Sequence, residues 1–216
     1  MKNNRINKRS IYLLLTCIIL VVPLISCSRT NSRLSRTKIL FIGLDGASWN
    51  VLDALLKEDK LPNIKYLASH GCRASVNTLE PMVSPLIWTS IATGKMPDKH
   101  GIMGFTAKQP KSGIEIPVTS NLRKAQAIWN ILSYYKKSVG VFGYLVTWPA
   151  ERVNGCLVSD RAFEANYLSK GYAYPELNKL CSEAKFKDIQ SHALKEKPRM
   201  YHDAPDRFIL DFVLSL

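Results

Sequence analysis

Two short stretches hold residue types that could act together on an anionic substrate. In Leu44-Asp45-Gly46 a carboxylate ends an apolar run, and carboxylate oxygens are hard donors suited to divalent cations. In Val83-Ser84-Pro85 a hydroxyl precedes a second apolar run, 39 positions after Asp45. Serine followed by proline is the pattern of an N-cap with proline in the first turn. The N–H groups and positive dipole end of such a helix also receive anions, and a metal can hold a serine as its alkoxide for nucleophilic attack. Taken singly, each stretch reads more simply as structure, Asp-Gly as a turn and Ser84 as a cap.

The elements that must position them follow from the spacing of apolar residues. Lys38 to Leu44 is nearly continuous apolar sequence, which predicts a strand buried on both faces. Trp49 to Lys57 and Pro62 to Ser69 have helical spacing, and His70-Gly71 ends the second helix. Cys72 to Leu79 alternates as a returning strand, and Pro85 to Ala92 is the helix after Ser84. Ala125 to Tyr135 predicts a further amphipathic helix, Ser138 to Val146 a buried strand and Gly155 to Val158 another. From about Leu168 the sequence becomes polar and charged, with short helical patches. Strands alternating with helices predict an α/β fold, a three-layer α/β/α sandwich with a largely parallel sheet. Ligands of such sheets bind beyond the carboxyl ends of the strands. Asp45 takes that place after the first strand, and the helices and strand between would return Ser84 to the same edge.

"KILFIGLDGASWNVLDALL" and "MVSPLIWTSIATGKMPDKHGIMGF" together resemble the type I phosphodiesterase/nucleotide pyrophosphatase branch of the alkaline phosphatase superfamily, from about Lys38 to Phe163. The resemblance implies that Asp45 binds metal and that Ser84 is the nucleophile and touches metal. Thr93-Gly94, Pro97 and His100-Gly101-Ile102 form the flanking frame, with His100 in a structural loop. "LVTWPAERVNGCLVSD", Leu145 to Asp160, looks like the family's next strand, loop and strand. The implied cofactor is a divalent metal, two zinc ions with manganese as the alternative, and the implied substrate is a phosphate ester. Nucleotide-cleaving members place Asn three residues after the frame, where this chain has Phe105, which cannot donate to phosphate. A sulfatase signature needs an Arg at fixed spacing that Ser84-Pro85-Leu86-Ile87 lacks.

The family's further ligands, in D-x-x-x-H and D-H motifs, do not occur between Phe163 and Leu216, where the chain ends on "RFILDFVLSL". His202-Asp203 is read as a surface segment and His70 as a helix end. Residues 38–216 are therefore expected to be the N-terminal part of an alkaline-phosphatase-like domain, apparently truncated. The expected function is metal-dependent hydrolysis of phosphate esters with a serine nucleophile, incomplete in this chain. The alternative is a catalytically inactive envelope lipoprotein remnant with a binding or structural role.

Residues 1–27 read as a lipoprotein signal peptide. Lys2, Arg5, Lys8 and Arg9 precede the apolar run Ile11 to Ile25, which is shorter than the ~20 residues of a membrane-spanning helix. Leu24-Ile25-Ser26-Cys27 resembles a bacterial lipobox, which implies lipidation of Cys27 and anchorage to membrane lipid. The expected location is the bacterial cell envelope, facing the periplasm or the exterior. Residues 28–37 form a polar, basic tether. Four of the formal +13 charges lie in the signal, leaving +9 dispersed along the rest. That suits a basic surface near anionic lipid, and no motif points to specific nucleic-acid binding. Cys72, Cys156 and Cys181 cannot all pair and lack metal-type spacing, so buried free thiols are expected, with one disulfide as the alternative.

Overall fold

The computed structural model describes residues 38–166 and 168–195. The signal, Cys27, the tether, His202-Asp203 and the terminal apolar stretch lie outside the described residues. The chain divides into two units, residues 1–75 and residues 76–216.

In the first unit, α1 (Trp49–Lys57) and α2 (Pro62–His70) form where the periodicity places them. The segment after α2 is tied back to α1. The Trp49 indole N–H donates to the Ala74 carbonyl at 2.9 Å, and the Arg73 guanidinium lies 3.9 Å from the Trp49 ring centroid. Arg73 also donates to both Asp53 oxygens, at 2.9 and 2.7 Å. That fork holds the Asp53 carboxyl below its usual range.

The strands predicted at Lys38–Leu44 and Cys72–Leu79 are not regular strands. Ile39 is 90% exposed, and Leu40, Phe41 and Ile42 are exposed too. A strand is made by its ladder, and among the described residues neither segment has a pairing partner. The apolar run reports a demand for burial, which is all that hydropathy encodes.

In the second unit, α3 (Ser84–Thr93) ends on Gly94 and α4 (Pro97–His100) on Gly101. A hairpin of β1 (Thr106–Lys108) and β2 (Glu115–Pro117) follows. Then come α5 (Ile128–Tyr134), β3 (Val139–Tyr144), β4 (Gly155–Ser159), β5 (Ala173–Tyr174), α6 (Leu177–Leu180) and α7 (Glu183–Lys195). β4 is the centre of a three-stranded sheet, parallel to β3 and antiparallel to β5.

Alternation along the strands divides the core. Val141 and Leu157 gather with Ala92 of α3 and with Ala127 and Trp129 at the start of α5. Val158 gathers instead with Leu177 of α6 and with Phe186, Ile189 and Ala193 of α7. Burying side chains of this size stabilises by roughly 1.5–3 kcal/mol each, so these two clusters hold the unit together. Mixed helices and strands with small sheets fit an α/β fold. The described sheet holds one parallel and one antiparallel pair, so the expected largely parallel sheet is seen only in the β3–β4 pair.

The carboxyl end of β3 is irregular. Register slips between Phe142 and Tyr144, so Gly143 bulges out with φ +61°, a conformation open to a residue without Cβ.

Candidate active site

The orientation of α3 follows from two contacts. Ala92, in its last turn, clusters with Val141 in the middle of β3. Trp88, one turn earlier, accepts a hydrogen bond on its carbonyl from the Tyr144 hydroxyl at 2.7 Å, and its ring meets Tyr144 edge-on at 5.6 Å. Helix and strand therefore run antiparallel, and Ser84, a further turn back, lies toward the carboxyl end of β3. Burial pushes the Tyr144 phenol far above its usual pKa, which keeps it a donor.

Ser84 does not cap this helix. The N-cap is Val83, in extended conformation at φ −120°, and its carbonyl accepts from Ile87 N–H at 3.0 Å. The helix thus begins one residue earlier than the Ser-Pro pattern predicts, and Ser84 is its first residue with Pro85 behind it. Ser84 is half-buried. Ser84 belongs to the first turn, whose N–H groups the helix itself does not use.

The frame after α3 is held by buried polar bonds. Thr93 Oγ1 donates to the Thr89 carbonyl at 2.7 Å. His100 is fully buried at 0% exposure. Its Nδ1 lies 3.1 Å from Ile102 N–H, which can only donate. Nε2 must then carry the ring proton and give it to Ser90 Oγ at 2.9 Å, while Ser90 donates to the Leu86 carbonyl at 2.9 Å. Burial lowers the His100 pKa, the Asp98 charge opposes that, and Arg123 adds to it. His100 therefore joins α4 to the middle of α3 as a neutral donor, in keeping with a structural loop.

The loop leaving β3 turns at the same edge. Val146 is 4% exposed and has φ +62°, costly for a β-branched residue. The Asp160 carboxylate, next after β4, compensates by accepting from Val146 N–H at 3.0 Å and Thr147 N–H at 3.2 Å. The Thr147 hydroxyl in turn accepts from Asp160 N–H at 3.1 Å. Asp160 thus follows its strand, as the sequence places Asp45 after another apolar run.

A second cluster braces α5. Arg123, its side chain 4% exposed, donates to both Glu151 oxygens at 2.6 and 2.7 Å. Trp129 Nε1 donates to Glu151 at 2.9 Å, and Asn130 accepts from Arg123 at 3.0 Å.

Asp45 lies in the first unit, exposed, in a turn with Gly46 at φ +67°. Ser84 lies in the second unit. Among the described residues, no group of three or more His, Cys, Asp or Glu side chains is placed to hold a metal. Among the described residues the donors do not complete a two-metal centre. Cys72 and Cys156 are free thiols, with Cys72 exposed where the sequence predicts burial. Burial raises the thiol pKa values of Cys156 and Cys181, which makes them poor nucleophiles. Among the described residues no helix is long and apolar enough to cross a membrane.

The family model for type I phosphodiesterase/nucleotide pyrophosphatase matches residues 39–207. Neither the curated proteins nor the solved structures gave a match. The frame from Ser84 to Ile102 and the span of that match lead to one conclusion: the chain belongs to the type I phosphodiesterase/nucleotide pyrophosphatase family, within the alkaline phosphatase superfamily.

Proposed function

We propose that this chain carries the nucleophile-bearing part of a phosphate-ester hydrolase and that Ser84 is the attacking residue. The observation that carries this reading is the placement of Ser84. It is the first residue of a helix antiparallel to β3, toward the carboxyl end of that strand, where ligands of α/β sheets bind. The family acts on phosphodiesters and nucleotides. Phe105, 62% exposed, stands where nucleotide-cleaving members place a donor, which favours a simpler phosphodiester over a nucleotide.

The chain's own groups can do the following. The first-turn N–H groups and dipole of α3 hold a non-bridging phosphate oxygen. Ser84 Oγ forms a bond to phosphorus as the P–O bond to the ester's alcohol breaks. The alcohol departs with the proton that Oγ gives up. Water then cleaves the phosphoseryl bond, returning a proton to Oγ and releasing phosphate or a monoester. Members of the family are generally metal-dependent. For this chain, two zinc ions or manganese are proposed, with Asp45 and Ser84 as the ligands it could offer. A three-layer α/β/α sandwich with a largely parallel sheet belongs to the same proposal. So do the lipid anchor at Cys27 and an envelope location, which rest on the sequence alone.

The test is hydrolysis of bis(4-nitrophenyl) phosphate by the full chain, with zinc or manganese supplied, against Ser84→Ala. The expected result is loss of turnover to background in the variant with an unchanged circular dichroism spectrum. Equal turnover in the two proteins removes Ser84 from the mechanism. Absence of turnover in both favours the non-catalytic binding scaffold.

A further inference from the structure

Next to the Asp160 clamp lies a pair that hydrolysis at Ser84 does not use. The Arg161 guanidinium carbon is 5.0 Å from the centroid of the Trp148 ring. Tyr172 lies against the same indole, with centroids 6.0 Å apart. Trp148 is fixed from the backbone side. Asp160 grips the two residues before Trp148. Ser120 N–H donates to the Trp148 carbonyl at 2.8 Å, and Ser120 Oγ donates to the Pro149 carbonyl at 2.6 Å.

Comparison with Arg123 shows what is unusual here. Arg123 also stacks on an indole, Trp129, at 5.3 Å, but its charge is matched by both oxygens of Glu151. Arg161 is half-buried and makes one long hydrogen bond, from Nη2 to the Val118 carbonyl at 3.3 Å. Among the described residues no carboxylate pairs with it. A guanidinium has five N–H donors in a fixed plane, so most of them are unused. The Trp148 indole N–H is buried and has no acceptor either. Leaving such a donor unsatisfied is destabilising. A guanidinium over the ring face and an unsatisfied N–H on the same indole leave donors whose complement is an oxyanion.

We propose that Arg161 and Trp148 form an oxyanion subsite at the carboxyl edge of β3 and β4. It takes a second anionic group, phosphate or carboxylate, of a substrate whose ester phosphorus reacts at Ser84. The identity of the ligand as substrate rests on the reading of Ser84 above, whereas anion binding itself does not. The clamp by Asp160 sets the position of Trp148 before any ligand arrives, so little ordering accompanies binding.

The experiment follows the indole N–H resonances of the full chain by nitrogen–proton correlation spectroscopy, in EDTA, as inorganic phosphate is added. Loss of one resonance in Trp148→Phe identifies Trp148. The expected result is a saturable shift of the Trp148 resonance in the wild type and equally in Ser84→Ala. The midpoint rises about 10-fold in Arg161→Lys, which keeps the charge but loses the fork, and the shift is abolished in Arg161→Gln. An unmoved Trp148 resonance, or the same midpoint in the Arg161 variants, overturns the subsite. Should Arg161→Gln not fold, the Lys variant decides alone. A second titration with malonate separates the sources, because the tighter of the two anions names the group. Ser84→Ala that loses turnover yet keeps the shift supports both readings, and turnover without the shift sinks only this one.

Discussion

His100 shows how one buried side chain can define the frame around a candidate nucleophile. Its two ring nitrogens are committed to Ile102 N–H and Ser90 Oγ, so protonating Nδ1 would place a donor against a donor. The histidine must stay neutral in the fold, and burial lowers its pKa below the ordinary 6.5. Between the folded value and about 6.5 the unfolded chain binds more protons, so stability rises with pH across that window. The contribution is complete above about 6.5 and is lost as pH falls through the folded value. Denaturant melts at pH 5 and pH 7.5 should therefore differ more for the wild type than for His100→Asn. A difference of equal size in both would remove His100 as the cause. The sequence already pointed to His100 as part of a frame rather than a ligand. It did not point to Ser90, because a lone serine in mid-helix has no pattern to distinguish it.

At the scale of elements, the parts legible in the sequence are those whose periodicity is local. α1, α2, α3, α5, β3 and β4 form within a few residues of their predicted bounds. The predicted strand at Lys38–Leu44 is the contrary case, since an apolar run states how much surface should be covered but not which strand will cover it. Asp160 and Arg161 were likewise invisible as site residues, because their significance comes from Val146 and Trp148 on another loop. The β3–β4 pairing itself depends on Gly155, at φ +146°, where an added Cβ would lie 2.0 Å from the Val139 carbonyl oxygen. No rotamer relieves a backbone clash of that kind. Gly155→Ala should cost about 3 kcal/mol or more, read as a drop in the denaturation midpoint with the m-value unchanged. A loss below 1 kcal/mol would show that the first residue of β4 can peel away without harm.

The whole molecule presents two units, each with one of the two residues singled out by chemistry, Asp45 in the first and Ser84 in the second. Family membership covers both, since the match runs over residues 39–207. The proposed role of Asp45 as a metal ligand can be tested on the full chain. Metal uptake addresses this at the right scale. Calorimetric titration of the full chain with zinc should show a site that weakens about 10-fold or more in Asp45→Asn, as expected when a charged oxygen ligand is lost. Identical isotherms for the two proteins would exclude Asp45 as a ligand.

The claim on which the account turns is that Ser84 Oγ bonds to phosphorus. Mass spectrometry of the full chain, acid-quenched during incubation with bis(4-nitrophenyl) phosphate and zinc, tests it directly. The account predicts a phosphoryl adduct confined to the peptide that contains Ser84 and absent from Ser84→Ala. Release of 4-nitrophenol with an adduct on another residue, or with none in any quench, would contradict it.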